Sequence, residues 1–211
     1  STEHPIYLIH VSAHLGVANS LGLSLANIDS QTLDPPGGKI RRYRNSLEPN
    51  GVFEETAAYP LQQLAMSAYK DPIGSVKTAM EIYAMNGITT AQDGASSPET
   101  IALMKAADAQ GMINLDIISY PIGQNGLDKN LDSINFGNYE GRVKIGGIKL
   151  ILDGSPQGKT AYLTEPYYKP PHSESESYKG YPLIPQAEVS KWVQQYAELN
   201  IPIMAHANGD A

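Results

Sequence analysis

The sequence predicts an α/β fold, in which helices and strands alternate along the chain. From residue 71 onward, segments with apolar residues at helical spacing are followed directly by short runs of β-branched residues. Two of these helices carry clear start signals, Asp71-Pro72 and Ser97-Pro98, each an N-cap residue followed by a first-turn proline. Strand–helix–strand units of this kind imply right-handed crossovers and a parallel sheet. The pattern leaves open a (β/α) barrel and a doubly wound sheet.

The α/β pattern predicts seven elements after residue 70. They are a helix over 71–86, a strand over 88–93, a helix over 97–110, strands over 114–120 and 143–152, a helix over 186–199 and a strand over 201–206. Polar loops are predicted over 123–138, with a short helix, and over 154–182. No glycine-rich phosphate motif follows any of the strands, which disfavours a nucleotide-binding sheet.

Residues 1–70 show no comparable alternation. We interpret them as an irregular segment with possible helices over 17–27 and 54–69, separated by a turn-rich stretch at 34–38. We therefore divide the chain into an irregular segment, 1–70, and an α/β part, 71–211.

Composition excludes several classes of partner. The 211 residues carry a formal net charge of -7, and the basic residues are scattered apart from Lys39 to Arg44, which we interpret as solvated surface, so we expect no nucleic-acid partner. No apolar run reaches the roughly 20 residues of a membrane helix, so we expect no membrane partner. The chain has no cysteine, which excludes thiolate chemistry. A small-molecule partner remains, and a cytoplasmic location is our expectation, although the sequence does not determine it.

A lysine stands in the middle of the apolar strand over 143–152. Alternation places Ile148 and Leu150 on one face, suited to packing under helices, and Lys149 and Asp153 on the other. A buried lysine is costly unless something pairs with it. Two interpretations stay open: an ion pair with Asp153 or Asp93, or a reactive lysine that is linked to a metal or forms a Schiff base.

His206 ends the last predicted strand, where functional side chains of parallel α/β folds gather. A histidine at this place is either a hydrogen-bonded structural residue or a metal ligand. The turn that follows contains Asp210, which could orient the imidazole or cap the next helix. Among the other histidines, we interpret His10 as structural.

Several short motifs occur in an order that resembles a known family. They are Ser12-Ala13-His14-Leu15, Asp34-Pro35-Pro36-Gly37-Gly38, Asn50-Gly51-Val52-Phe53-Glu54, Asn86-Gly87-Ile88-Thr89-Thr90, Ile148 to Ser155, Gly158-Lys159-Thr160-Ala161 and His206 to Ala211. Together they cover nearly the whole chain. The sequence resembles amidohydrolase family 3, and within it the N-substituted formamide deformylases.

The resemblance implies a TIM-type barrel, of which this chain would supply roughly strands two to five, with residues 1–70 inserted over the barrel mouth. It implies one or two divalent metal ions, usually zinc. Lys149 would match the strand-four lysine, which bridges two metals when carbamylated, and His206 the strand-five histidine ligand. His14 and Asp153 are the corresponding substrate-binding candidates. The implied reaction is hydrolysis of amide, formamide or cyclic amide C–N bonds by a metal-activated water.

The sequence departs from this family in its ligand set. It contains no His-x-His pair, and nothing corresponds to the strand-six histidine or the strand-eight aspartate. We therefore expect an internal fragment of a hydrolase that is inactive by itself and forms homo-oligomers through exposed barrel edges. Two alternatives remain: a barrel lyase with a Schiff base on Lys149, and a non-catalytic domain that binds a small ligand through Tyr162, Tyr167 and Tyr168.

Overall fold

The computed structural model describes residues 1–123, 131, 134–171 and 174–211. Within them the chain divides into two compact units, each assembled from separate stretches. The first unit comprises Ser1–Tyr69, Leu152–Pro185 and Ala207–Ala211, and the second comprises Lys70–Ile151 and Gln186–His206. The first unit therefore combines nearly all of the predicted segment 1–70 with the long loop and the last residues of the chain.

The first unit contains an antiparallel sheet of four strands. The strands are β1 (Tyr7–Ile9), β2 (Leu15–Ala18), β3 (Gly38–Arg42) and β4 (Pro49–Glu55), hydrogen-bonded in the order β1-β2-β4-β3. A 3₁₀ turn (Thr56–Ala58) and the helices α1 (Ser20–Leu25) and α2 (Tyr59–Ser67) complete the regular structure. The description of residues 1–70 as irregular missed this sheet. Its strands are short, and its central pair joins distant residues such as Leu15 and Glu54, so no local pattern predicts the sheet order.

The two faces of this sheet differ in polarity. Ile40 of β3 pairs with Phe53 of β4, and both are buried against Ala18 and Leu61 in one apolar cluster. The opposite face carries Lys39 opposite Glu54. This arrangement is typical of an antiparallel sheet with one face packed and the other polar.

Asn19 positions the first helix and anchors the amino-terminal residues. Its side-chain oxygen accepts hydrogen bonds from the backbone N–H of Gly22 and of Ile6, each at 2.9 Å. Its amide donates to the carbonyl oxygens of Ser1 and His4. The predicted helix over 17–27 is therefore shorter, because residues before Asn19 belong to β2 and the cap begins the helix only after it.

The second unit follows the predicted alternation of helices and strands. Its elements are α3 (Pro72–Met85), β5 (Thr90–Ser96), α4 (Pro98–Ala109), β6 (Asp116–Pro121), β7 (Tyr139–Glu140), β8 (Val143–Ile145), β9 (Ile148–Ile151), α5 (Gln186–Glu198) and β10 (Ile203–His206). The predicted caps are observed: Asp71 accepts from the N–H of Gly74 at 2.9 Å, and Ser97 from that of Thr100 at 3.1 Å. The starts of α3 and α4 therefore follow from local sequence signals.

The strands of the second unit pair mainly in parallel. β5 pairs with β6, β6 with β8, and β9 with β10, all parallel, while the short β7 is antiparallel to β8. One face of the β5–β6–β8 strands packs against α3 and α4 through a core that includes Ile101, Met104, Ile117 and Val143. Because the helices cover this face, polar side chains of the strands lie on the opposite face.

The predicted single strand over 143–152 is divided into β8 and β9. Gly146 and Gly147 separate them, and both are held close to neighbouring strands. A Cβ at Gly146 would lie 2.6 Å from Cγ2 of Ile118, and one at Gly147 would overlap the carbonyl group of Pro202. The backbone contact at Gly147 strongly favours glycine at the bend, on either side of which β8 pairs with β6 and β9 with β10.

The fold class is α/β, as predicted. The described strands form one four-stranded sheet of the second unit and the β9–β10 pair, and within these ranges they do not close into a barrel. No helix in the described part of the chain is both long enough and apolar enough to span a bilayer. Parts of the loop predicted over 123–138, and residues 172 and 173, lie outside the described residues.

Candidate functional site

Lys149 and His206 lie on the same face of neighbouring parallel strands. In the β9–β10 register, Lys149 is opposite Met204 and Ile151 is opposite His206. Because paired residues of a sheet point to the same side and side chains alternate along each strand, Lys149, Met204 and His206 share one face. On β10, His206 lies two residues after Met204 and is therefore nearer the carboxyl end of the strand.

The opposite face of β9 is fully packed. Ile148 and Leu150 are 0% and 1% exposed. A Cβ at Gly123 would lie 2.8 Å from Cγ2 of Ile148 and 3.0 Å from the hydroxyl oxygen of Tyr196 in α5, so this face meets the helix. Lys149 therefore points away from the apolar layer, as its parity predicts.

The surroundings of Lys149 are poor in negative charge. Among the described residues of its own unit, no carboxylate lies within 4.0 Å of its ammonium group, so the predicted ion pair with Asp93 is not observed. Removal from water lowers the pKa of Lys149 below its usual value, because burial disfavours the charged form. The neighbour on the same face is Met204, whose sulfur lies 3.8 Å from Nε2 of Gln92 in β5.

The described residues supply only part of a metal site. They contain no group of three or more His, Cys, Asp or Glu side chains placed to hold one metal ion. Lys149 and His206 offer two donors from one face, whereas a stable zinc site has three or four. The two residues thus fit part of a coordination sphere and do not complete it.

Asp153 is buried in the first unit and holds two backbone segments together. Its Oδ1 accepts from the N–H of Asn208 at 2.9 Å, and its Oδ2 from those of Tyr162 and Gly209 at 3.0 and 2.6 Å. Asp153 as a whole residue is 5% exposed. Three backbone donors occupy this carboxylate, which favours an anchoring role in the first unit over the predicted substrate contact.

Asp210 fixes the long loop to the chain end. Its carboxylate accepts from the backbone N–H of Thr164 at 3.0 Å and from the Thr164 hydroxyl at 2.6 Å. These hydrogen bonds lower the pKa of Asp210, because they stabilise the charged carboxylate. The two predicted partners of Asp210 were the His206 imidazole and the start of a following helix, and Thr164 is neither. Thr164 lies 46 residues away in sequence, so no local pattern indicates this contact.

His14 forms a close pair with a buried glutamate that the sequence analysis did not single out. Its Nδ1 lies 2.7 Å from Oε2 of Glu55, and the Glu55 side chain is 3% exposed. The backbone reinforces the pair, because the Glu55 N–H donates to the His14 carbonyl oxygen at 2.8 Å. The His14 side chain is 16% exposed, so it is only partly accessible to solvent.

The other oxygen of Glu55 joins the turn Ser155–Thr160 to this pair. The Thr160 hydroxyl donates a short hydrogen bond to Oε1 of Glu55 and accepts from the Ser155 N–H at 3.0 Å. Glu55 has φ 52° and ψ -127°, a conformation rare for a residue with a side chain. A strained backbone position is retained where the surrounding contacts hold it, often at functional sites.

A second group of charges surrounds Arg41, which the sequence analysis interpreted as part of a solvated basic cluster. Arg41 is 7% exposed, so that interpretation is wrong for this residue. Its guanidinium contacts Glu54 through Nε at 2.6 Å and Nη2 at 3.1 Å, and Glu174 through Nη1 at 2.6 Å. Burial opposes the charge of Arg41, but these carboxylates raise its pKa on balance. Glu174 lies 133 residues from Arg41 along the chain, so no local pattern indicates this ion pair.

The three tyrosines of the ligand-binding alternative are not arranged as one pocket. The Tyr167 ring stacks on Tyr178 with centroids 5.9 Å apart, and its hydroxyl donates to the Ala161 carbonyl oxygen at 2.9 Å. Tyr168 is 95% exposed. Tyr167 therefore helps to order the loop, whereas Tyr168 points into solvent.

The fold and the residues on β9 and β10 define an α/β protein with polar groups at the carboxyl ends of parallel strands. The sequence profile of the amidohydrolase family matches residues 1–211. The chain belongs to that family.

Comparison with individual proteins is consistent with this assignment. The chain is similar to the N-substituted formamide deformylase of Arthrobacter pascens, with 31% identity over 114 residues, 52% of this chain and 21% of the relative. It is also similar to the protein LONG AFTER FAR-RED 3 of Arabidopsis thaliana, with 25% identity over 222 residues, 100% of this chain and 37% of the relative. The chain thus spans well under half the length of either protein.

A solved structure shares the fold. The crystal structure of an uncharacterized metal-dependent hydrolase from Pyrococcus horikoshii OT3 superposes with a TM-score of 0.64 at 22% identity. The match covers 99% of this chain and 40% of that one.

Proposed function

We propose that this chain is part of a metal-dependent hydrolase that cleaves amide, formamide or cyclic amide C–N bonds with a metal-activated water. The observation that carries the proposal is the placement of Lys149 and His206 on one face of adjacent parallel strands. Membership of the amidohydrolase family and similarity to the N-substituted formamide deformylase of Arthrobacter pascens support the same reaction class. The small-molecule substrate would carry the scissile bond.

We also propose that the second unit is the strand-two to strand-five part of a TIM-type barrel, with residues 1–70 as an inserted segment. The parallel strands follow chain order, β5 to β6, then β8 and β9, then β10. The bridge between Ile122 and Lys149 continues this order from the end of β6 to β9. Consecutive parallel neighbours joined by helices are what a barrel wall requires.

Within this proposal, Lys149 and His206 are two of the metal ligands, and zinc is the expected ion. A lowered pKa increases the fraction of Lys149 in the neutral amine form at a given pH. The neutral amine is the form that adds CO₂, giving a carbamate and releasing one proton. The carbamate oxygen is anionic and suits a divalent cation, and a neutral imidazole at His206 suits zinc.

His14 is the proposed substrate-contacting residue of the first unit. Glu55 pairs with Nδ1 of His14 and so fixes the orientation of the ring. Asp153, although also a substrate-binding candidate, is better supported as the anchor of residues 208 and 209. We therefore expect substitutions of His14 to change the Michaelis constant of the complete enzyme.

The 211-residue chain alone should be inactive and should hold zinc weakly, because two donors fall short of a stable site. Metal analysis tests this directly. After dialysis against micromolar zinc, we expect less than one equivalent of zinc per chain by plasma mass spectrometry. One tightly held equivalent would contradict this part of the proposal.

The ligand assignment is tested in the full-length protein that contains this chain. We expect Lys149→Ala and His206→Ala to lose metal and to lose hydrolysis of an N-substituted formamide by at least about 100-fold. Met204→Leu is the matched control, since Met204 is opposite Lys149 on the same face and has no donor role in the proposal. Full metal content in both alanine variants would refute the assignment.

The lyase and ligand-binding alternatives have weaker support. A Schiff-base lysine also benefits from a lowered pKa, so that property does not separate the two reactions. The family match favours hydrolysis. Chelation is the discriminating test, because a Schiff-base lyase would keep its activity without metal and could be trapped on Lys149 with borohydride.

A further inference from the structure

The first unit contains an open cleft with a marked excess of basic side chains along its walls. Its volume is about 1050 Å³, and its lining includes Lys39, Arg41, Arg42, Arg44 and Lys159 together with the acidic Asp34 and Glu54. The floor is the polar face of the β2–β4–β3 strands, and one wall is the turn at Gln157 to Lys159. This concentration of positive charge occurs in a chain with a net charge of -7.

Three of the five basic side chains are neutralised by the protein itself. Arg41 contacts Glu54 and Glu174, and Lys39 also contacts Glu174. The remaining one, Arg42, lies 3.7 Å from Asp34 and donates to the carbonyl oxygens of Leu47 and Thr32. Among the described residues that line the cleft, Asp34 and Glu54 are the acidic ones, and both already face one of these three cations.

Arg44 and Lys159 are the two cations that remain. Neither side chain has a hydrogen bond or an ion pair among the residues that the structure describes, and both line the cleft. Arg44 is exposed, and Lys159 is half-buried. Two uncompensated positive charges in a concave site attract small anions more strongly than isolated surface charges do, because the low-dielectric walls focus the field.

The backbone conformation of Lys159 is a second observation that favours a role for this side chain. Lys159 has φ 58°, a left-handed conformation that glycine adopts at lower cost. The turn that imposes it is rigid: the Lys159 N–H donates to the Pro156 carbonyl oxygen at 3.1 Å, and the Gly158 N–H to the Ser155 hydroxyl at 3.0 Å. A lysine is present here despite the cost, and its ammonium group forms no bond that would offset it within the described residues.

We propose that this cleft binds a small oxyanion, a carboxylate or a phosphate, between Arg44 and Lys159. The guanidinium of Arg44 offers a planar pair of donors suited to two oxygen atoms, and the ammonium of Lys159 adds a point charge. The ligand would be a free anion or the acidic group of a larger small molecule. This inference concerns binding in the first unit and does not depend on hydrolytic activity.

The test is an NMR titration of the ¹⁵N-labelled 211-residue chain with sodium acetate and, separately, sodium phosphate, at constant ionic strength set with sodium chloride. We expect saturable shifts of the Arg44, Gly158 and Lys159 amides with at least one anion. Saturation by acetate alone identifies a carboxylate site, saturation by phosphate alone identifies a phosphate site, and saturation by both identifies a general oxyanion site. Linear shifts with both anions would overturn the proposal.

Three variants make the test specific. We expect Arg44→Gln and Lys159→Gly to weaken binding about tenfold each, because each removes one charge–oxyanion contact. Lys159→Gly suits the left-handed backbone, so the fold should be kept, which a thermal melt checks. Lys169→Gln is the control: Lys169 is exposed and is not among the cleft residues. Unchanged affinity in both cleft variants, or equal weakening by the control, would contradict the site.

Discussion

Nδ1 of His14 lies 2.7 Å from Oε2 of Glu55, and the same carboxylate accepts the Thr160 hydroxyl through its other oxygen. A buried carboxylate with both oxygens bonded is costly to remove, because its partners lose their acceptor together. Three chain segments far apart in sequence meet at this group. Glu55 is therefore a structural centre of the first unit as well as the support of His14.

Replacing Glu55 by alanine should destabilise the chain by about 2–4 kcal/mol, because it leaves the Thr160 hydroxyl and the His14 ring without their buried acceptor. The measurement is urea denaturation followed by circular dichroism. Glu48→Ala serves as the control, since Glu48 is exposed and its side chain makes none of these contacts. Equal stability of the two variants would show that the network contributes nothing.

Glycine at position 154 is required by the same network. A Cβ there would overlap the Thr160 hydroxyl and Oε1 of Glu55. We expect Gly154→Ala to lower the free energy of unfolding by about 1–3 kcal/mol, the usual cost of overpacking a buried site. Gly94→Ala is the comparison, because its Cβ would lie 3.5 Å from the Met204 sulfur, an ordinary contact. A thermal melt in which Gly154→Ala matches the unsubstituted chain would be inconsistent with this packing.

Asp153 should control the order of the last residues in the first unit. In Asp153→Asn one oxygen becomes an NH₂ group, which faces a backbone donor instead of accepting from it. We expect a loss of about 1.5–3 kcal/mol, the range for hydrogen bonds to a charged group. Hydrogen exchange of the Asn208 and Gly209 amides should become faster in the variant. Glu165→Gln, at an exposed position, should leave both exchange rates unchanged.

The lowered pKa of Lys149 predicts a pH-dependent reactivity. Its folded-state pKa lies below the ordinary 10.5, so Lys149 becomes a neutral, nucleophilic amine at lower pH than an exposed lysine does. The native state then binds fewer protons than the unfolded state between the two pKa values, so this group makes stability rise with pH in that window, up to about 10.5.

Competitive acetylation at limiting reagent, read by peptide mass spectrometry across a pH series, measures this. The half-modification pH of Lys149 should be lower than that of the exposed Lys169 in the same sample. Coincident curves for the two lysines would contradict the effect of burial.

The sequence predicts self-association through barrel edges, which stays a prediction, and the first unit offers a separate edge strand. β1 pairs on one side only, and its Leu8 and Ile9 are 64% and 55% exposed. An apolar edge strand is a template for pairing with a second copy. We propose that the chain forms homo-oligomers, detectable by light scattering as a mass that rises with concentration. Leu8→Lys should reduce that mass, and a constant monomer mass for the unsubstituted chain would rule the proposal out.

Local signals predicted the second unit well. The caps at Asp71 and Ser97 act within three residues, so the sequence determines where α3 and α4 begin. The face of Lys149 also follows from alternation along one strand. The bend at Gly146 and Gly147 was missed, because it depends on how closely Ile118 and Pro202 approach from other strands.

The structure of the first unit could not be predicted from local sequence patterns. Its sheet order depends on the long-range pairing of β2 with β4, and its charges meet across large separations, as in Arg41 with Glu174. No periodicity in residues 1–70 contains that information. The buried role of Glu55 was missed for the same reason, since its partner Thr160 is 105 residues away.

By itself, the sequence determined the α/β class, the helix starts, the side of the strand on which Lys149 stands and the family resemblance. These depend on interactions within one turn of helix or along one strand, or on motifs read in order. Tertiary structure alone decided that Lys149 and His206 lie on one face of adjacent strands. It also decided that the Asp153 carboxylate accepts hydrogen bonds from backbone N–H groups of two other segments. Such outcomes depend on which distant segments pair, and pairing is decided by burial and hydrogen bonding over the whole unit.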